Sequence, residues 1–171
     1  VNPFLKKYKK NNILLADVGS GVGTISLIIA YRNIDAKIVG IENNEKYNML
    51  CKENILINNF QNQIEIVDND IFTVNKNLIN NFDVVVSNLP FFTNYNNRSK
   101  NELNDYAKRI VDLENWIDNS VKLLKDKGYI FLIIPTEMIN KVLFNLSKKT
   151  GSFKIFPFWP NNKKSSKRVI L

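Results

Sequence analysis

The chain has 171 residues, with 24 Lys+Arg against 16 Asp+Glu for a net charge of +8, and contains no histidine. That composition excludes Ser-His-Asp and Cys-His catalysis and every His-ligated metal, and its single cysteine, Cys51, allows neither an internal disulfide nor a Cys-rich zinc site. An apolar share of 44% excludes a disordered chain, and no apolar run reaches the ~20 residues that cross a bilayer.

The opening segment VNPFLKKYKKNN is basic and lacks the apolar core of a signal peptide. ILLADV (13–18) is an apolar run that closes on an acid and a glycine turn, and so predicts a buried parallel strand. Residues 19–23 form the turn and 24–31 a largely buried helix. AKIVGIE (36–42) is a second strand. Residues 44–58 read as a helix, with Tyr47, Leu50, Asn54 and Ile57 at helical spacing and Asn43 or Asn44 as N-cap. IEIV (64–67) and FDVVVS (82–87) are the third and fourth strands, the latter running into Asn88-Leu89-Pro90-Phe91-Phe92.

The polar stretch 93–104 reads as a mobile loop. Residues 113–124 form an amphipathic helix through Leu113, Trp116, Ile117, Val121 and Leu124, and GYIFLII (128–134) is a fifth strand. Thr136 is the expected N-cap of a helix over 137–149, which Gly151 closes. FKIFPF (153–158) and RVIL (168–171) are the last strands. The short turn-rich link between them permits an antiparallel hairpin but no helical crossover. The pattern predicts an α/β fold in three layers: a mostly parallel seven-stranded sheet with an antiparallel C-terminal hairpin, in one domain over 1–171.

No acid follows Glu137, whereas Lys141, Lys148, Lys149, Lys154, Lys163, Lys164, Lys167 and Arg168 do, so residues 138–171 carry the whole net charge. A second cluster, Lys6, Lys7, Lys9 and Lys10, precedes the first strand. Basic ends of this kind suit a polyanion such as RNA. The heavy use of Lys, Asn and Ile throughout offers the same lysines a purely compositional origin.

The chemistry begins at Asp17-Val18-Gly19-Ser20-Gly21-Val22-Gly23. Glycines after a first strand let a ligand press against the backbone, and the following helix offers free N–H groups. Alone, such a turn is a weak signal. Thr24 stands where a dinucleotide fingerprint needs its third glycine, which argues against NAD. Glu42 ends the second strand 19 residues after Gly23, where a carboxylate accepts hydrogen bonds from both hydroxyls of a ribose, unless it is simply an acid at a strand end. Together, Gly19, Gly21, Gly23 and Glu42 on this strand order resemble the Rossmann-like class I methyltransferases, which use S-adenosylmethionine (SAM).

Asn88-Leu89-Pro90-Phe91 is similar to the (Asp/Asn/Ser)-Pro-Pro-aromatic motif of the members that act on exocyclic or amide nitrogens. The resemblance implies that Asn88 and the Leu89 carbonyl accept the two hydrogens of an adenine N6 and free its lone pair. Pro90 biases Leu89 toward extended backbone, and Phe91 stacks on the base. Leu89 in place of the first proline keeps the carbonyl, and Asn-Leu-Pro-aromatic also occurs in rRNA adenine dimethyltransferases. Glutamine-amide methyltransferases favour Asn-Pro-Pro-Tyr instead.

DLENWIDNSVKLLKDKGYIFLII and the ending PFWPNNKKSSKRVIL resemble the bacterial tRNA1(Val) adenine-N6 methyltransferases more closely. By that resemblance Asp17 joins the cofactor site and Asp70 meets the adenine amine of SAM, although an acid there also serves as a loop residue or helix cap. Members begin with a further segment that helps close the cofactor site, and Val1 falls roughly where that segment ends. The expectations are a SAM-dependent transferase acting on adenine in RNA, most of all tRNA, with no metal and a cytoplasmic location. A protein glutamine-N5 methyltransferase, an rRNA adenine methyltransferase and a non-catalytic SAM- or RNA-binding remnant are the alternatives.

Overall fold

A computed structural model describes residues 12–32, 35–89, 113–161 and 164–171. Its strands are β1 (Leu14–Val18), β2 (Lys37–Ile41), β3 (Ile64–Val67), β4 (Phe82–Asn88), β5 (Leu124–Pro135), β6 (Phe156–Phe158) and β7 (Arg168–Ile170). They form one sheet in the order β3-β2-β1-β4-β5-β7-β6. The pairs among β1–β5 are parallel, and β7 runs antiparallel to both β5 and β6. The chain steps outward from β1 to β3 and then returns to β4. The carboxyl ends of β1 and β4 therefore flank the point where the winding reverses, the crevice in which open α/β sheets bind ligands.

Alternation along the strands divides the core. Leu15, Ile38 and Val84 pack against α1 (Thr24–Arg32) and α2 (Glu45–Ile57) through Ala30, Cys51 and Ile55. Ala16, Val18, Ile41 and Val85 face the opposite way, toward Leu123 and Trp116. On that second face α3, over residues 113–122, and α4 (Ile139–Ser147) bury Leu113, Ile117, Val142 and Leu146 against Leu132, Ile134 and Val169. Each such side chain contributes about 1.5–3 kcal/mol on leaving water. β1 is buried on both faces from Leu15 to Val18, which is why it reads as an unbroken apolar run.

Local chemistry sets the ends of α2. Asn44 caps its start, its side chain accepting from the Tyr47 amide at 3.2 Å. Asn59, at φ 61°, ends it: the Phe60 amide donates to the Ile55 carbonyl and the Asn59 amide to Leu56, the two bonds of a Schellman motif. The buried face of α2 is Asn48, Cys51 and Ile55, while Tyr47, Leu50 and Ile57 are exposed. The helical spacing of those apolar residues thus marks a helix but not its core side.

Four sequence expectations need correcting. Thr136 does not cap with its side chain; it opens a 3₁₀ turn (Thr136–Met138), and its hydroxyl donates to the Ser166 carbonyl at 2.9 Å. Gly151 does not close α4. Lys148 is the C-cap, and the positive φ nearby falls on Ser152. Leu124 belongs to β5 rather than to α3, so β5 starts earlier than Gly128, and β6 covers only Phe156–Phe158 of the expected 153–158. Between β3 and β4 the chain forms two 3₁₀ turns, Ile71–Thr73 and Lys76–Leu78, which the sequence pattern did not suggest.

Candidate active site

The turn after β1 is held by its own backbone. The amides of Gly19 and Ser20 both donate to the Ile41 carbonyl at the end of β2, at 2.9 and 3.2 Å, and the Gly23 amide donates to Ser20 at 2.9 Å. Gly19, Gly21 and Gly23 all have positive φ, of 69°, 55° and 87°, a region that side chains with a Cβ enter only at a cost. Their surroundings differ. A Cβ on Gly19 would lie 3.0 Å from the indole of Trp116, and one on Gly23 would lie 2.5 Å from Cys51 Sγ. A Cβ on Gly21 would meet nothing within 4 Å. Gly21 is the open stretch of backbone.

Glu42 stands one residue past β2 and is 9% exposed. Its Oε2 accepts from the Gly21 amide at 2.9 Å and its Oε1 from the Asn44 amide at 2.8 Å. One carboxylate thus ties the open glycine to the N-cap of α2, and each oxygen retains a further lone pair for a ligand. Asp17, 1% exposed, lies beneath the turn. Its Oδ2 accepts from the Ser26 amide at 3.1 Å and the Ser26 hydroxyl at 2.7 Å, satisfying an otherwise unpaired amide in the first turn of α1. Burial pushes the Asp17 carboxyl up to about 6, against the lowering effect of the Ser26 bonds and with a smaller upward push from Glu42.

Asp70 is half-buried and caps the 3₁₀ turn Ile71–Thr73, accepting from the Phe72 amide at 2.9 Å. Phe72 meets Trp116 edge-on, with ring centroids 5.9 Å apart. The Trp116 Nε1–H donates to Ser87 Oγ at 3.2 Å, and the Ser87 hydroxyl donates to the Val18 carbonyl at 2.8 Å. Trp116, Ser87 and Phe72 therefore wall the crevice on the side away from α1. Sequence reading missed that wall: Trp116 stands out there as part of an apolar stripe and of the segment that carries the family resemblance, not as a site residue, and nothing marks Ser87.

Asn88 ends β4, paired with Ile133, and is exposed. Asp17 pairs with Val86, so Asn88, two residues on, reaches the level of Gly19. Alternation sends Asn88 after Val84 and Val86 to the α1 face, where Asp17 meets Ser26. Leu89 is 1% exposed and packs with Leu132 and Ile134, its amide donating to the Ile133 carbonyl at 3.2 Å. Asp17, the three glycines, Glu42 and Asn88 thus gather at the carboxyl edge of β1, β2 and β4.

Pro90, Phe91, the loop 93–104, Lys6, Lys7, Lys9, Lys10 and Lys163 lie outside the described residues. Lys164, Lys167 and Arg168 are exposed at the far end of the sheet. Among the described residues no group of three or more acidic or cysteine side chains is arranged to hold a metal ion. Among them, too, no helix is long and apolar enough to cross a membrane.

A glycine-lined crevice at the switch point of a seven-stranded sheet with an antiparallel final hairpin defines a Rossmann-like methyltransferase fold. Solved structures agree. A predicted O-methyltransferase from Agrobacterium tumefaciens superposes with a TM-score of 0.75 at 16% identity, over 95% of this chain and 74% of that one. A precorrin-6y C5,15-methyltransferase from Geobacter metallireducens gives 0.66 at 18% identity, over 97% and 81%. Residues 3–156 match the methyltransferase small domain, and the chain belongs to that family.

Curated relatives include a tRNA1(Val) (adenine(37)-N6)-methyltransferase from Glaesserella parasuis, 30% identical over 92% of this chain and 66% of the relative. One of the same name from Bacteroides thetaiotaomicron is 31% identical over 75% of this chain and 54% of the relative. The chain thus spans between about half and two thirds of the length of these relatives. The cofactor of the family is SAM, and the residues present fit it. Gly21 leaves room at the backbone, Glu42 faces it, and the buried Asp17 Oδ1, Ser20 Oγ and Asn69 Oδ1 have no partner among the described residues.

Proposed function

We propose that this chain is the catalytic core of a SAM-dependent methyltransferase that modifies the exocyclic N6 of an adenine in RNA, with tRNA as the substrate class. The observation that carries the reading is Asn88, exposed at the end of β4, level with Gly19 and on the same face as Asp17. The names of the curated relatives support adenine and tRNA as targets.

Bound SAM would supply a methyl group activated by its sulfonium. Everything else falls to the chain. The backbone at Gly21 would admit the cofactor, with Glu42 placed to accept from its ribose hydroxyls and Asp70 from its adenine amine. Asn88 Oδ1 and the Leu89 carbonyl each accept one hydrogen of the target amino group, which turns the nitrogen lone pair toward the crevice. In this reading a proline at 90 would bias Leu89 toward extended backbone, and Phe91 would supply a ring for the base to stack on. Positioning accounts for most of the acceleration. No general base is needed, because the amino proton becomes acidic once its nitrogen is alkylated. The basic ends would hold phosphates, and a cytoplasmic location follows from a tRNA substrate.

The test offers labelled SAM to the chain with total tRNA and, separately, with a protein extract. Label recovered as N6-methyladenosine in RNA supports the reading. Label in protein, or in neither pool, overturns it. Asn88→Ala is expected to abolish transfer with SAM affinity within about twofold, and retained turnover would remove Asn88 from its role.

A further inference from the structure

β4 parts from its two neighbours at different points. Its register with β1 ends at Val86, opposite Asp17, whereas its register with β5 runs on through Ser87 and Asn88, opposite Leu132 and Ile133. On the β1 side the Ser87 side chain takes over from the ladder. The buried Ser87 hydroxyl donates to the Val18 carbonyl at 2.8 Å, one residue past the last position that the two strands share. The carbonyl of Val18, itself buried, thereby finds the donor that the ladder no longer gives it. A hydroxyl can rotate about its C–O bond, and here a second bond fixes it. The same Ser87 oxygen accepts from the Trp116 Nε1–H at 3.2 Å, which directs its own proton to Val18. Two bonds in one direction thus run from α3 through the end of β4 to the end of β1.

The next residue on each strand belongs to the candidate site. Gly19 follows Val18 and opens the glycine turn; Asn88 follows Ser87. Trp116 also bears on the turn itself, since a Cβ on Gly19 would lie 3.0 Å from its indole. Alternation puts Ser87 with Val85 and Trp116 on the α3 face and sends Asn88 to the α1 face. Ser87 therefore reaches a target amino group through the backbone that it shares with Asn88, and Trp116 acts on Asn88 through Ser87. Satisfying the Val18 carbonyl needs a hydroxyl and nothing more. The indole behind it adds direction, and direction matters where two reacting groups must meet. A displacement of about 1 Å can cost up to about 100-fold in rate. The β1–β4 ladder stops short of both groups, so the separation of Asn88 from the glycine turn is left to these two bonds.

We propose that Ser87 and Trp116 are positioning residues: the Trp116–Ser87–Val18 bonds hold Asn88 at a fixed distance from the glycine turn, and so set where a target amino group meets the cofactor crevice. The proposal rests on the reading of Asn88 given above and adds to it the device that places that side chain. Cutting the relay at either bond is expected to impair transfer more than cofactor binding.

The experiment compares the full chain with Ser87→Ala, Trp116→Phe and the double variant. Nitrogen–proton NMR of the chain alone follows the Asn88 carboxamide, identified by its loss in Asn88→Ala. Trp116→Phe leaves the sequence neighbours of Asn88 intact and is expected to move these signals. In the Ser87→Ala background the same change moves them no further, because the relay is already cut. Calorimetric titration gives SAM affinity, and labelled transfer to total tRNA gives kcat and KM. Ser87→Ala is expected to lower kcat at least about tenfold, with SAM affinity within about twofold of native. Trp116→Phe also shortens the ring against Gly19, so its kcat is read at saturating SAM. There the double variant is expected to be no slower than the slower single variant. Ser87→Cys, close to serine in volume and a weaker hydrogen-bonding group, repeats the comparison if the alanine variant fails to bind SAM.

If Trp116→Phe leaves the Asn88 signals in place, or moves them equally with and without Ser87, the relay does not place Asn88. Turnover by the native chain that Asn88→Ala abolishes would then leave the role of Asn88 standing. If Ser87→Ala keeps kcat within about twofold, or loses SAM affinity as steeply as kcat, the bonds serve the turn or the core and the positioning role is refuted. Effects on kcat that multiply in the double variant refute it as well. If the native chain transfers no methyl group to RNA, the reading of the site falls. The NMR comparison then decides by itself whether Trp116 and Ser87 fix Asn88.

Discussion

Replacing Glu42 by Gln tests the central link of the site, because the change keeps the shape and removes the charge. In the native carboxylate, Oε2 accepts from Gly21 and Oε1 from Asn44, at 2.9 and 2.8 Å, on a side chain only 9% exposed. A carboxamide has one acceptor oxygen, so one of these amides must face an NH₂ group and lose its partner. Hydrogen bonds to a charged group contribute about 1.5–3 kcal/mol each, which sets the expected loss of stability. At about 2–4 °C per kcal/mol for a domain of this size, Tm falls by about 3–12 °C. The lost bond also frees Gly21 or Asn44, and both flank the place where a ribose would sit. SAM affinity is therefore expected to fall at least about tenfold. Differential scanning fluorimetry with and without SAM, together with calorimetric titration, reads both quantities. A Tm within 1–2 °C of the native value would show that the two amides do not depend on the carboxylate. Unchanged SAM affinity beside a lowered Tm would leave Glu42 a purely structural staple.

Asp17→Asn probes burial. The Asp17 carboxyl is raised to about 6 from 3.8, so the folded chain favours its neutral form; its contribution to stability is complete below pH 3.8 and lost as pH climbs through about 6. Asn does not titrate and its oxygen can still accept from Ser26, so its stability relative to the native chain should rise across that window by up to about 3 kcal/mol, measured as urea midpoints against pH. A flat difference would refute the burial account. Gly23→Ala places a Cβ 2.5 Å from Cys51 Sγ at a φ of 87° and is expected to cost about 2–5 kcal/mol from left-handed strain and overpacking together. Adding Cys51→Ala should return the packing share alone, and full recovery in urea unfolding would mean that the backbone is unstrained.

The sheet was legible because its central strands are buried on both faces. ILLADV, AKIVGIE and FDVVVS carry no polar alternation to confuse them, and the observed β1, β2 and β4 fall within a residue or so of their predicted ends. The carboxyl-edge residues were legible for a related reason: Asp17, Glu42 and Asn88 are the polar positions at which each apolar run stops. Elements whose limits depend on tertiary contacts were not. Thr136 looks like a cap in sequence, but its hydroxyl is drawn to Ser166, thirty residues on. β5 extends back to Leu124 because β4 pairs there, with a register shift between Phe82 and Val84 that no local pattern encodes. In α2 the buried face includes Asn48, whose amide donates to the Glu42 carbonyl at 3.3 Å, so a polar residue sits where apolar spacing predicts none.

The glycine turn carries this contrast furthest. In the sequence, Gly19, Gly21 and Gly23 are equivalent members of one spacing, and each is equally a candidate for close approach to a ligand. In the fold, two of them are occupied by the protein itself: Trp116 from α3 lies over Gly19 and Cys51 from α2 against Gly23, one from each layer. These contacts clamp the turn from both faces of the sheet and leave Gly21 as the rung beside which a side chain would meet open space, its amide already turned toward Glu42. A turn built only to bind a ligand could be loose when empty. This one is fixed by contacts that any ligand would find in place, so the entropy of ordering it belongs to folding rather than to binding. Asp17 completes the arrangement from below by fixing Ser26, three residues beyond Gly23, at the cost of a buried carboxylate oxygen without a partner. That cost is the physical signature of a turn held ready for use rather than one optimised for stability.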